Sequence, residues 1–277
     1  MIAVSRRRFV GSGLAAASWL AGGRTSVAQV AWERLADRFA APVGFMRAPL
    51  PQGSFGAWLR LLPLKPADAP VVLHTGALKP RQDVHAAVIE IDVGSRDLQQ
   101  CADAVMRLRA EWLFAQGRGL EVAFNDTGGG KPMRFEQWAR GFRPRQKGRG
   151  LVWTKSAEAD PSAASFRRYL DTVFVWAGTQ SLEQELVRKP VATVTPGDVI
   201  IKGGFPGHAV IVADVVVSLD GGERRVLLAQ SYMPAQSIHV LKNLSDPANG
   251  PWFTLRDGRS IETPEWTFSA GALRGWR

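Results

Sequence analysis

Two alternating apolar segments in the last third of the chain place the tightest limit on its fold. Residues 208–217 and 224–232 are rich in valine, leucine and alanine, and a short segment with Asp-Gly-Gly at 220–222 joins them. Asp-Gly between alternating apolar runs is typical of a β-hairpin turn. We therefore expect two neighbouring strands here, as part of an antiparallel sheet.

A helical pattern precedes this sheet. Apolar residues recur at helical spacing after residue 97, and Asp97 followed by Gln100 predicts a capping box that would place Cys101 one turn inside the helix. The sequence also predicts helices near 31–39, 135–141, 164–176 and 182–188, strands at 71–74, 84–93, 121–124 and 198–202, and an extended segment at 58–64. Helices followed by a late antiparallel sheet predict an α+β fold.

The chain begins with the pattern of an exported protein. Ser-Arg-Arg-Arg-Phe-Val at 5–10 precedes a short apolar run at 11–23 and the small residues Ser-Val-Ala at 26–28. This is a twin-arginine export pattern followed by residues that suit a signal peptidase. We expect residues 1–28 to be a signal peptide and residues 29–277 to be a single periplasmic domain. No later segment is apolar enough, over sufficient length, to predict a membrane span.

Positive charge is the main compositional bias. The formal net charge is +10, and the densest basic run covers residues 140–149. Such a run can bind nucleic acid or another anionic polymer, or can form a solvated loop. Export argues against nucleic acid, so we predict no nucleic-acid partner. A polymer of the cell envelope and a solvated loop stay open as alternatives.

Cys101 is the only cysteine, so it cannot form a disulfide within the chain. A thiol near a helix N-terminus lies where unpaired backbone N–H groups and the helix dipole favour the thiolate. A cysteine nucleophile also needs a base. Of the four histidines, only His208 begins a predicted strand directly after a glycine-rich turn. We therefore interpret Cys101 as a candidate nucleophile and His208 as its base.

The hairpin register suggests a third member. With a turn centred on the Asp-Gly-Gly segment, His208 would face Tyr232, and Gln230 would lie diagonally on the same sheet face. Gln230 would then orient the imidazole. A one-residue bulge would break this parity. His239 and Asp214 are the alternatives, although Asp214 lies too far along the strand.

Each of these residues also has an ordinary structural explanation. A lone cysteine on an amphipathic helix is commonly a small buried apolar group, and a lone histidine at a strand start is commonly a surface residue. The joint pattern favours chemistry. Neither Cys101 nor any histidine has a partner at metal-ligand spacing, so we predict neither a metal nor a cofactor.

Four segments resemble an uncharacterised family of exported bacterial proteins, a domain of unknown function. They are GSFGAWLR at 53–60, DLQQCADAVMRLRAE at 97–111, PGHAVIVAD at 206–214 and AQSYMPAQSIHVLKN at 229–243. The resemblance covers residues 31–276 and implies no particular reaction.

A more distant likeness is to the papain-like, NlpC-type hydrolases of bacterial cell walls. Cys101, His208 and Gln230 match that group's catalytic positions in order, although Gln-Cys-Ala replaces its usual Asp-Cys-Ser or Asp-Cys-Gly. The likeness implies a papain-like α+β fold with the nucleophile helix packed on an antiparallel sheet, an inserted region at 121–188 and a C-terminal elaboration. It implies an exported cysteine hydrolase of amide bonds, acting on a cell-wall peptide or glycopeptide. A non-catalytic envelope-binding module and a thiol-dependent acyltransferase are the alternatives.

Replacing both Arg6 and Arg7 by lysine tests the export prediction. We expect the unprocessed precursor to accumulate in the cytoplasm, because the twin-arginine route depends on the arginine pair. Fractionation and immunoblotting measure this, with Arg24→Lys as the matched control. Normal processing of the double variant would contradict the twin-arginine assignment.

Overall fold

A nine-stranded antiparallel sheet organises residues 33–277, the part of the chain that the computed structural model describes. The predicted signal peptide at 1–28 lies outside the described residues, as does the start of the helix predicted at 31–39. None of the helices from residue 33 onward is long and apolar enough to cross a membrane.

The helices are short except for two. They are α1 (Leu35–Arg38), α2 (Phe55–Arg60), α3 (Cys101–Ala115), α4 (Phe135–Ala139), α5 (Ala163–Trp176) and α6 (Thr179–Glu185). The strands are β1 (Phe45–Arg47), β2 (His85–Val88), β3 (Ala123–Asn125), β4 (Pro132–Arg134), β5 (Phe142–Lys147), β6 (Gly150–Lys155), β7 (Val187–Arg188), β8 (Val199–Lys202), β9 (His208–Ser218), β10 (Arg224–Gln230), β11 (His239–Leu241), β12 (Phe253–Thr254), β13 (Ile261–Thr263), β14 (Trp266–Phe268) and β15 (Leu273–Gly275).

The main sheet has the strand order β2-β11-β10-β9-β8-β15-β7, with β1 also paired to β9 and β12 to β10. The remaining strands of the described chain form three hairpins, β3–β4, β5–β6 and β13–β14. The protein is therefore a mixed helix and sheet structure built on a large antiparallel sheet, with the predicted hairpin at its centre.

Both faces of the central strands are buried. Ala209, Ile211 and Ala229 pack with α3 and α5 in one apolar cluster. Val210 and Leu228 point to the other face, in a cluster with residues of the C-terminal part of the chain. Because successive side chains alternate between faces, α3 and the C-terminal segment cover opposite sides of one sheet.

The hairpin carries a β-bulge that the sequence reading assumed to be absent. Leu227 pairs with Asp214, but Leu228 pairs with Val212, so Ala213 has no partner in β10. The register of the β9–β10 pair near the turn is therefore shifted by one residue relative to the register near His208. Near the turn, where Val217 pairs with Arg224, the register differs by one residue from the one expected around His208, and the bulge removes this difference. Beyond the bulge the pairing is the one expected around His208.

Asp214 holds this bulge in place. Its carboxylate is fully buried and lies 2.6 Å from Nε of Arg60 and 2.8 Å from Nε of Arg47. The two guanidinium groups also donate to backbone carbonyls, including those of Ala48 and Phe39. The buried charge is thus paired and ties α2 and β1 to β9.

Several local predictions differ from the structure. The segment at 58–64 begins as helix α2, because Ser54 caps it and accepts a hydrogen bond from the N–H of Ala57. Residues 71–74 form only isolated bridges, and the basic run belongs to the β5–β6 hairpin. Helix α3 begins at Cys101 and not at Asp97.

Asp214→Ala tests the importance of the buried ion pairs. Removing the shared carboxylate leaves two arginines facing a desolvated site, so we expect a loss of about 3 kcal/mol or more in the free energy of unfolding. Urea denaturation measures it. Asp83→Ala is the control, because Asp83 pairs with Arg81 at an exposed position, where the change should be small. Equal losses in the two variants would contradict the assigned role of Asp214.

Candidate functional site

A cavity of about 300 Å³ lies where the start of α3 meets the start of β9. Cys101 and His208 both line it, together with Phe205, Met233 and Trp266 among mainly apolar neighbours. The candidate nucleophile and the candidate base therefore share one concave site. Such a shape is typical of small-molecule and substrate sites.

The position of Cys101 follows from local hydrogen bonds at the helix start. The N–H of Gln100 donates to the Asp103 carboxylate at 3.0 Å, so this pair, and not Asp97 with Gln100, makes the reciprocal cap. Asp97 accepts hydrogen bonds from the N–H of Ala235 at 2.6 Å and from the side-chain amide of Gln100 at 3.0 Å. Cys101 is consequently the first helical residue, where backbone N–H groups have no partner within the helix.

The electrostatics of the thiol are opposite to the expectation from the helix dipole. Burial raises the pKa of Cys101 to about 11, and the charge of Asp103 adds to the rise. The backbone N–H groups of Ala102 and Ala209 favour the thiolate but do not compensate. The helix start is covered by protein, so desolvation outweighs the dipole. The thiol is therefore protonated at neutral pH.

Glycine and aromatic residues position His208. A side chain at residue 207 would overlap the carbonyl oxygens of Gly204 and Lys202, so the turn before β9 needs glycine there. The imidazole ring then packs among aromatic rings, with centroid distances of 4.9 Å to Tyr232 and 5.4 Å to Trp266. Burial lowers the pKa of His208 to about 4, so the ring is neutral at neutral pH.

A series of side-chain contacts connects the His208 ring to Lys79. Nε2 of His208 lies 2.8 Å from Oε1 of Gln230. Nε2 of Gln230 lies 2.9 Å from Oε2 of Glu265, and Oε1 of Glu265 lies 2.7 Å from Nζ of Lys79. All four side chains are at least nine-tenths buried. His208 and Gln230 thus belong to a buried polar network.

The structure separates the other predicted contacts. Cys101 and His208 line one cavity, but within residues 33–277 no hydrogen bond joins the sulfur to the imidazole. Asp214 is occupied by the two arginines described above. His239 is fully buried, with Nδ1 2.9 Å from the carbonyl oxygen of Ser237. Burial lowers the pKa of His239 to about 3.

Sequence reasoning missed Glu265, Lys79 and Asp103. Glu265 occupies the two-residue turn between β13 and β14, and Lys79 lies in a loop far earlier in the chain. Neither has a local pattern that marks it, because their meeting depends on tertiary structure. Asp103 had a signal, since an acid three positions after a polar residue can complete a capping box.

The described residues offer no obvious metal centre. Across 33–277, no group of three or more histidine, cysteine, aspartate or glutamate side chains is arranged to hold a metal ion. What the site does offer is a thiol, a neutral imidazole and an amide that contacts the imidazole. This set can transfer a proton from sulfur to nitrogen while the sulfur attacks an electrophilic carbon.

Fold and site together define a mixed helix and sheet protein with a cavity lined by a buried cysteine and a buried histidine, and with a glutamine in contact with the histidine. The chain belongs to the family described as Domain of unknown function (4846), whose model matches residues 35–275. This confirms the predicted membership of an uncharacterised family. No curated protein and no solved structure matches the chain. The likeness to NlpC-type hydrolases stays a prediction.

The neutral, buried state of His208 predicts acid sensitivity. Unfolded histidine binds a proton near pH 6.5 and the folded ring only near pH 4, so stability should fall as the pH drops between these values. His208 alone should contribute a loss of about 3 kcal/mol by pH 4. Urea denaturation at pH 7 and pH 4.5 should show a smaller acid loss for His208→Asn than for the parent. Equal losses would contradict the assigned neutral ring.

Proposed function

We propose that this protein is an exported cysteine hydrolase of amide bonds with a papain-like arrangement of helix and sheet. The observation that supports the proposal is the cavity at the start of α3 and β9, which is lined by both Cys101 and a His208 that contacts Gln230. The order of these residues along the chain matches the NlpC-type likeness. We propose a peptide of the bacterial cell wall as the substrate, in the periplasm.

The proposed reaction begins from two neutral groups. Nδ1 of His208 accepts the thiol proton while Sγ of Cys101 attacks the amide carbon. The carbonyl oxygen becomes an oxyanion, and the N–H of Cys101 donates to it. Collapse breaks the C–N bond, and the imidazolium gives its proton to the leaving amine. Water then attacks the thioester, with His208 as the base, and releases the carboxylic acid and the thiol.

The protonation states explain how the site must work. With the pKa of the thiol raised to about 11 and that of His208 lowered to about 4, the resting pair is not a thiolate and an imidazolium. Proton transfer therefore accompanies attack and does not precede it. Substrate bound in the cavity would displace water and align the Cys101 sulfur with the His208 ring for proton transfer.

The same values favour one alternative function. A protonated, buried thiol is also what a cavity without chemistry would contain, which suits an envelope-binding module that retains the fold. The apolar walls of the cavity serve either function. Turnover separates the two, because a binding module needs neither the thiol nor the imidazole. A thiol-dependent acyltransferase would need both, and would pass the acyl group to an amine in place of water.

Cys101→Ala tests the hydrolase directly. We expect release of peptide from purified peptidoglycan to fall to background, since the attacking sulfur is gone, while the melting temperature stays near that of the parent. His208→Ala should lower turnover by about 10²–10⁴-fold, because it removes the general base. Mass spectrometry of released peptides measures both.

His85→Asn is the control, because His85 is a half-buried histidine outside the residues that line the cavity. It should keep full activity. Full activity of Cys101→Ala would disprove the thiol mechanism. If the parent releases nothing but sediments with peptidoglycan, and Cys101→Ala does the same, the binding module is correct.

A further inference from the structure

The hydrogen-bond donors and acceptors of the buried polar network behind His208 follow a fixed order. This order decides which ring nitrogen of His208 can act as a base. A glutamine amide presents an acceptor oxygen on one side and a donor NH₂ on the other. If the oxygen of Gln230 faces His208, the ring must carry its proton on Nε2. If the NH₂ faces His208, the proton must lie on Nδ1.

Glu265 selects between these two orientations. A carboxylate only accepts hydrogen bonds, and Oε2 of Glu265 lies 2.9 Å from Nε2 of Gln230. The opposite orientation would place two oxygens against each other in a buried site. The amide oxygen therefore faces His208, where the distance from Oε1 of Gln230 to Nε2 of His208 is 2.8 Å.

A second neighbour agrees with this orientation. Nδ1 of His239 donates to the carbonyl oxygen of Ser237 at 2.9 Å, which leaves Nε2 of His239 as an acceptor. Nε2 of Gln230 lies 3.5 Å from that atom. Both neighbours of the Gln230 NH₂ group are thus acceptors.

Lys79 pairs with the other oxygen of the Glu265 carboxylate. Its ammonium group lies 2.7 Å from Oε1 of Glu265, and the two side chains are 6% and 10% exposed. Lys79 also lies over the ring of Tyr232, 5.2 Å from its centroid. The carboxylate is therefore paired on one oxygen and accepts from Gln230 with the other.

We propose that the Glu265–Lys79 ion pair is a positioning element that selects the Nε2–H tautomer of His208 through Gln230. Nδ1 of His208 is then left unprotonated, as the acceptor of the Cys101 proton. This inference rests on the proposed function for its catalytic consequence. The tautomer itself can be measured without substrate.

Glu265→Gln tests the selection with nearly the same side-chain shape. Lys79 would take the carbonyl oxygen of the new glutamine, whose NH₂ would then face Gln230. Gln230 must turn its own oxygen toward that NH₂ and its NH₂ toward His208. We expect His208 to change from the Nε2–H to the Nδ1–H tautomer, and turnover to fall roughly tenfold or more because the base nitrogen is misplaced.

The double variant Lys79→Met with Glu265→Gln should reverse the change. Without the ammonium group, the introduced glutamine can offer its oxygen to Gln230, and the original orientation returns. We expect the Nε2–H tautomer and most of the turnover to recover. A role limited to fold stability would predict further loss in the double variant. Glu262→Gln is the matched control on the same hairpin, since Glu262 is exposed.

Long-range ¹H–¹⁵N NMR of ¹⁵N-histidine-labelled protein at pH 7 identifies the tautomer of His208, with assignment from His208→Asn. The parent must show the Nε2–H form, so an Nδ1–H parent overturns the proposal even if Glu265→Gln does not fold. An unchanged tautomer in a folded Glu265→Gln variant also overturns it. If the tautomers behave as expected but the parent itself releases no peptide, the hydrolase proposal fails and the positioning role stands.

Discussion

The bulge in β9 is the constraint on which the rest of this structure depends. It is stabilised by Asp214, whose buried carboxylate is shared by Arg47 and Arg60. Beyond it, His208 and Gln230 lie on the same side of the sheet as Val210 and Leu228. Since a shift of one residue moves every later side chain to the other face, an uninterrupted strand with the same turn would have separated His208 from Gln230. Three charged residues that do not line the cavity therefore decide its composition.

Burial is the second governing effect. Cys101 and His208 are both buried in the protein, so the charged form of each is disfavoured. The pKa of Cys101 is raised and that of His208 is lowered, which keeps both groups neutral. The dipole at a helix start stabilises a nearby anion by up to about 1 kcal/mol at an exposed position. Burial destabilises the charged form of a group by several kcal/mol. The dipole argument for a thiolate fails for that reason.

The site is assembled from parts of the chain that are distant in sequence. Helix α3 provides Cys101, β9 and β10 provide His208 and Gln230, and the β13–β14 turn provides Glu265. The C-terminal segment thus does more than cover the sheet, because its turn completes the polar network. Truncation before residue 261 would remove both the cover over His208 and the carboxylate behind Gln230.

The sequence by itself determined the elements and the candidates. Alternating residues predicted the hairpin, helical spacing predicted α3 and α5, and a lone cysteine with one well-placed histidine predicted two of the residues that line the cavity. These features are local, so they can be read from neighbouring residues. Only the tertiary structure decided the bulge, the neutral thiol and the place of Glu265 behind Gln230. Register, desolvation and long-range hydrogen bonds depend on which distant segments meet, and no local pattern records that.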